Sequence, residues 1–164
     1  MMLLKVDPTA HISDLADIES STRGTKFHLG EGSYIDSFVK VKPAGGSGHI
    51  VIGDRVTINS GCVLYTGNGI TIGNDVAIAA NCVFAPVNHA YQKKDQLIRE
   101  QRFMPSKGGI VIEDDVWIGA GCTFLDGTIL RKGCVIGAMS LVRGEVEAYS
   151  VVAGMPAVKK GYRT

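Results

Sequence analysis

Aromatic side chains are scarce in this 164-residue chain, at 7% with one Trp, and the formal net charge is only +1. So balanced a charge excludes a global field that would draw nucleic acid or a membrane surface. Long apolar runs are missing too. None approaches the roughly 20 residues of a membrane-spanning helix, so no membrane insertion is expected. The opening Met1-Met2-Leu3-Leu4-Lys5 is too short in apolar residues for a signal peptide, which makes a cytoplasmic location the expectation. The four cysteines form no C-x-x-C pair, so the usual zinc and redox spacings are absent. Length alone suggests a single domain over 1–164 with one continuous core.

Glycine, by contrast, is plentiful at 21 residues, and a bulky aliphatic or Phe recurs at every sixth position. Ile52, Ile58 and Leu64 make one trio, and Ile72, Ile78 and Phe84 another. Ile112, Ile118, Phe124, Leu130, Ile136 and Val142 follow one another without a break. Leu29, Ile35 and Val41 fit the scheme, and Val6, Ile12 and Ile18 open it as an irregular first coil within 1–26. Two positions before most of these stands a small or branched residue: Val56, Cys62, Val76, Cys82, Val116, Cys122, Thr128, Cys134 or Ser140. The period is too long for an ordinary strand and too short for a helix pair. It marks a solenoid in which each turn covers its neighbour. Period-two pairs such as Ile50-x-Ile52 and Ile110-x-Ile112 mark short strands. The expected fold is all-β, a parallel solenoid of about six triangular coils, roughly 30 Å tall at ~4.8 Å per coil. The cysteines fill the slot that Val, Thr and Ser fill elsewhere and read as inert core thiols.

Extra residues interrupt the hexads around 19–26, 42–49, 66–69 and 86–109, always near the close of a third hexad. They therefore project from one edge, where solenoids often place a binding face. Pro43 to Gly48 is glycine-rich but lacks the Lys-Ser/Thr of a phosphate loop, and reads as a flexible turn. The inserted loop over 90–109 carries Lys93, Lys94, Arg99, Arg102 and Lys107 against Asp95 and Glu100. It reads equally as a solvated loop and as a lid over an anionic ligand, because loops of this length are uncommon and often functional. Residues 154–164 form a short basic tail. His11, His28 and His49 read as surface residues. His89 stands at the root of the long loop, in Ala85-Pro86-Val87-Asn88-His89. A histidine on a rigid coil beside a mobile lid suits a general base near neutral pH, although loop histidines are common.

The hexads, the Asn88-His89 segment, Val116-Trp117-Ile118-Gly119, Ile136-Gly137-Ala138-Met139-Ser140 and Gly154-Met155-Pro156-Ala157 together resemble the hexapeptide-repeat acyltransferases. The galactoside and maltose acetyltransferases and the O-acetyltransferases of bacterial surface polysaccharides are the most similar members, over roughly 27–160. The resemblance implies a left-handed β-helix, a homotrimer with each site between two prisms, and acetyl-CoA as donor without a metal. It implies a sugar acceptor, free or linked to a nucleotide or lipid. Carried over residue by residue, it makes His89 catalytic and sets Asn59, Asn88 and Tyr91 near the acceptor. It sets Trp117, Gly119, Ala120 and Ala138 beside coenzyme A, with a backbone N–H near Gly119-Ala120 meeting the oxyanion. Where the family has Thr-Lys, this chain has Arg143-Gly144, so Arg143, Lys159, Lys160 and Arg163 are the candidate phosphate-binding cations. No carboxylate is evidently placed to orient His89.

Three other readings stay open. N-acetylation of an amino-sugar nucleotide needs less help from a base. A metal-dependent carbonic anhydrase type needs three converging histidines, and His89 has no partner at the required spacing. A non-catalytic β-helical scaffold leaves Trp117 and the basic loop unexplained.

Overall fold

The computed structural model describes residues 3–164; Met1 and Met2, part of the short apolar opening, lie outside them. The first coil is β1 (Leu3–Val6), β2 (His11–Ile12) and β3 (Asp17–Ile18). The second is β4 (Lys26–Leu29), β5 (Tyr34–Ile35) and β6 (Lys40–Lys42), and the third β7 (Ile50–Ile52), β8 (Thr57–Ile58) and β9 (Val63–Tyr65). The fourth is β10 (Ile70–Ile72), β11 (Ala77–Ile78) and β12 (Val83–Ala85), followed by a long excursion that holds the one-turn helix α1 (Ile98–Gln101). The fifth is β13 (Ile110–Ile112), β14 (Trp117–Ile118) and β15 (Thr123–Leu125), and the sixth β16 (Thr128–Leu130), β17 (Val135–Ile136) and β18 (Leu141–Val142). A partial seventh, β19 (Glu145–Val146) and β20 (Ser150–Ala153), is capped by β21 (Val158–Tyr162), which runs antiparallel to β20.

Every third strand joins the same sheet, giving faces of seven, eight and six strands that begin with β1, β2 and β3. They are the first, second and third faces below. All neighbours within a face are parallel except β20 and β21. The hexad explains why. Each strand offers one or two inward positions, so only stacking on the coils above and below buries them. Ile52, Ile72 and Ile112 align in one inward column, and Ile58, Ile78, Ile118 and Ile136 in the next. Phe84 and Phe124 stack in the third with ring centroids 4.9 Å apart. The expected small residues all point inward: Val56, Cys62, Cys82, Cys122, Thr128 and Cys134 are 0% exposed. Burial pushes the Cys134 thiol up to about 12, and the Cys122 thiol is also raised, first by its hydrogen bond with Cys82. These thiols are core groups.

Side chains reinforce the stack where the first face turns into the second. Asp54 Oδ1 accepts the Glu31 N–H at 2.8 Å, Asn74 Oδ1 accepts that of Asp54 at 2.8 Å, and Asp114 Oδ1 that of Asn74 at 2.7 Å. Each carboxylate or amide thus satisfies a corner donor of the coil before it.

Three features differ from expectation. The first coil is regular in strand register, pairing Leu3 with Lys26 and His11 with Tyr34; its irregularity is exposure, since Val6 is 37% exposed at the open end. The repeat continues past the sixth coil because the last corner is shortened: Ile110 pairs with Thr128, but Ile129 with Glu145. Beyond the expected short tail, residues Val158–Tyr162 add a strand, and Arg163 is hydrogen-bonded to Asp115 at 2.8 Å and to the Gly133 carbonyl at 3.0 Å.

Candidate active site

The excursion leaves the prism where the third face turns back to the first, and its two roots are tied together. The Asn68 N–H donates to the Pro86 carbonyl at 3.0 Å on the way out. The Asn68 side-chain amide donates to Asp126 Oδ2 at 3.1 Å, beside the way back in. Asp126, only 6% exposed, also accepts the N–H of Lys107 at 2.9 Å and of Gly109 at 2.9 Å. Inside the loop, Asn88 to Ala90 run antiparallel to Arg102 to Met104, through Ala90 N–H to the Arg102 carbonyl and Met104 N–H to the Asn88 carbonyl. Gln101 bonds to the backbone of Lys93 and Gln96 and closes the tip. None of the α1 side chains is buried. The loop is ordered by its own backbone pairing together with the side chains of Gln101, Asn68 and Asp126.

His89 sits on that antiparallel bridge with its ring exposed and 4.7 Å, centroid to centroid, from the Phe103 ring. It faces an open cleft of about 460 Å³ lined by Asn88, Tyr91, Met104, Lys107, Leu125, Asp126 and Arg143. The structure therefore brings His89 together with Asn88, Tyr91 and Arg143 among the residues singled out above. Asp126 shares the cleft, but its oxygens are held by the loop roots, and no hydrogen bond joins it to His89 among the described residues.

The remaining residues lie elsewhere on the prism. Trp117 points outward from the second face and is 53% exposed. Gly119, Ala120 and Ala138 follow at the edge between the second and third faces, and Asn59 occupies the same edge lower down. Asn59 turns its side-chain amide onto the Ile78 carbonyl at 2.8 Å. Gly119 is needed where it stands, because a Cβ there would meet the Ala138 nitrogen at 2.6 Å. Its own N–H donates to the Ile136 carbonyl at 2.8 Å and is not free for an oxyanion. The amides of Ala120 and Ala138 differ: both residues are exposed, and among the described residues neither N–H donates to another group. Two backbone donors on successive coils are thus without an acceptor among the described residues.

The cations divide in the same way. Arg143 belongs with His89 and not on the edge of Ala120 and Ala138. Lys159 is held by Glu147 at 2.6 Å and by the Tyr162 hydroxyl at 2.7 Å, which draws the Glu147 carboxyl below its usual range. Arg163 is held by Asp115, while Lys160 is exposed and in no ion pair among the described residues. Among those residues no three His, Cys, Asp or Glu converge as a metal site, and no helix is long and apolar enough to cross a membrane.

A parallel β-helix with a histidine on a side excursion defines a class of protein. Comparison with known proteins gives the family. Residues 109–144 match the family described as bacterial transferase hexapeptide (six repeats). The chain is 32% identical over 139 residues to an Escherichia coli (strain K12) protein described as a lipopolysaccharide biosynthesis O-acetyl transferase, WbbJ, covering 82% of this chain and 67% of the relative. A hexapeptide-repeat acetyltransferase of Vibrio cholerae, solved with acetyl coenzyme A, superposes with a TM-score of 0.70 at 30% identity, over 83% of this chain and 71% of that one. An N-acyltransferase of Bacillus cereus, AntD, solved with coenzyme A and dTDP-4-amino-4,6-dideoxyglucose, shares the fold over 99% of this chain and 85% of its own, with a TM-score of 0.83 and 23% identity. Other relatives are longer: the chain spans 30% of a Staphylococcus aureus 2,3,4,5-tetrahydropyridine-2,6-dicarboxylate N-acetyltransferase. The chain belongs to the hexapeptide-repeat acetyltransferases, whose β-helix is left-handed.

Proposed function

We propose that this protein, a single β-helix acyltransferase domain, transfers the acetyl group of acetyl-CoA to a sugar hydroxyl during cytoplasmic synthesis of a surface polysaccharide. The observation that carries the reading is the exposed His89 ring, held by a bridge to Phe103 at the mouth of an open cleft, in a protein whose thiols are all buried. With no accessible cysteine, the acyl group passes directly between donor and acceptor. Neutral His89 takes the hydroxyl proton as the oxygen attacks the thioester carbon, a contribution of roughly 10²–10⁴ in rate. The new C–O bond forms, the C–S bond breaks, and the imidazolium returns its proton to the departing thiolate. An N–H aimed at the tetrahedral oxyanion would stabilise it, and the undonated Ala120 amide is the candidate. The E. coli relative's name supports the oxygen acceptor and the polysaccharide context, and the V. cholerae structure supports the donor.

In one chain, however, the histidine cleft and the Trp117–Ala120–Ala138 surface stand on different parts of a triangular prism. A homotrimer that sets this edge of one copy against the cleft of the next completes the site. Mixed trimers test it. His89→Ala chains and Ala138→Trp chains, each inactive alone but folded, recover part of the activity when co-assembled, while His89→Ala alone still binds acetyl-CoA. Absence of any recovery, or turnover by His89→Ala itself, would defeat the proposal. The S. aureus relative's name supports an amide product instead; a base-labile acetyl group on the product decides for the ester.

A further inference from the structure

We infer that Lys107 and Arg143 read a phosphoryl group on the acceptor, so that the substrate class is a phosphate-linked sugar and not a free neutral one. The inference rests on the proposed acetyl transfer at His89 and adds what that site recognises.

The cleft beside His89 contains two cations, Lys107 and Arg143, and one carboxylate, Asp126. Asp126 makes no ion pair with either cation among the described residues. It is buried, and its two oxygens accept the backbone N–H groups of Lys107 and Gly109 and the Asn68 amide. The acids nearest Arg143 on its other side are Glu145 and Glu147, which line the adjoining groove with it. Both are taken, Glu145 by Arg131 at 2.8 Å and Glu147 by Lys159 at 2.6 Å. Some outward cations on neighbouring coils meet acids, as Lys40 meets Asp17 and Glu19, and Arg55 meets Asp75. Lys107 and Arg143 have no ion pair among the described residues. Two unpaired cations around one cleft repel each other unless an anion lies between them.

Their placement is also built. The Lys107 backbone is fixed by Asp126, and its stem fills the space a side chain on Gly127 would need, with Lys107 Cβ 2.9 Å from the position of that absent Cβ. Arg143 follows β18, whose pairing with β15 sets it beside Leu125, the apolar floor of the cleft. His89 and Arg143 line the same open cleft of about 460 Å³, which admits a pyranose ring with its reacting hydroxyl toward the imidazole and an anomeric phosphate toward the guanidinium. Arg and Lys are suited to such an anion by charge-assisted hydrogen bonds.

Calorimetry on the full chain, saturated with coenzyme A to occupy the donor phosphate sites, tests this with inorganic pyrophosphate, dTDP and farnesyl diphosphate as probes. Pyrophosphate is expected to bind, and Lys107→Met and Arg143→Gln each to weaken it by roughly tenfold, the size of a lost charged hydrogen bond. Coenzyme A affinity and Tm stay within error. Tighter binding of dTDP points to a nucleotide-linked sugar, and tighter binding of farnesyl diphosphate to a lipid-linked one. No pyrophosphate binding, or loss of coenzyme A affinity in these variants, overturns the inference. So does equal acetylation of a phosphate-linked sugar by wild type and Arg143→Gln, an outcome that leaves acetyl transfer standing. A protein that fails to bind acetyl-CoA at all defeats the transfer reading instead.

Discussion

The Phe103 ring lies 4.7 Å from the His89 ring at an interplanar angle of 45°, and the two residues face each other across an antiparallel bridge. The far strand of the loop thus supports the imidazole from the side. Without that wall the ring gains rotamers in which its nitrogens miss the acceptor. Phe103→Ala is expected to lower kcat by about tenfold with acetyl-CoA affinity unchanged, and Phe103→Tyr to restore most of it. Steady-state kinetics separate this from a folding defect, which would instead lower the active fraction.

Asp126 is the second support. Asp126→Ala leaves the N–H groups of Lys107 and Gly109 and the Asn68 amide without their acceptor. We expect a loss of about 2–3 kcal/mol in stability, measured by urea denaturation. Limited proteolysis should cut within 90–109 faster than in wild type, because both roots of the loop loosen together.

Phe124 tests the core. It is 0% exposed and stacked on Phe84, so Phe124→Ala opens a cavity that two rigid neighbouring coils fill poorly. A cost of about 3–5 kcal/mol is expected from denaturation midpoints, against less than about 1.5 kcal/mol for Phe124→Leu plus repacking.

The thiols supply the pH prediction. Cys134 is held up to about 12 by burial, from an ordinary 9.0. Below pH 9 the folded and unfolded thiols are both protonated, so stability does not depend on this group. As pH rises past that point the unfolded thiol ionises first, and stability falls until the folded one follows near 12. Chemical denaturation at pH 8, 9 and 10 checks the decline, and Cys134→Val should flatten its share of it. At pH 8 a thiol reagent should label none of the four cysteines before unfolding and all of them after.

Much of this architecture is readable from spacing, because a hexad leaves each inward residue a single place to go. Ile52, Ile78 and Phe124 are buried where their period puts them. The site is harder to read. His89 stands out by its position at a break in the repeat, but its supports are not local. Asn68 reaches Asp126 across 58 positions of sequence, and Phe103 reaches His89 only after the loop has doubled back. Gln101 looks like any polar loop residue until its three bonds are seen. Arg143 shows the opposite problem. It stands where the family has Thr-Lys, and only the corner at which it emerges shows that it lies beside the histidine. The pairing of Lys159 with Glu147 is likewise invisible in the sequence.

The column closes above and below the excursion without consulting it: Ile70 pairs directly with Ile110, although 40 positions separate them. Such a detour behaves as a cassette. Exchanging the tip between Tyr91 and Arg102 for one of different length should leave the masonry of the shaft intact while giving the enzyme a new clientele.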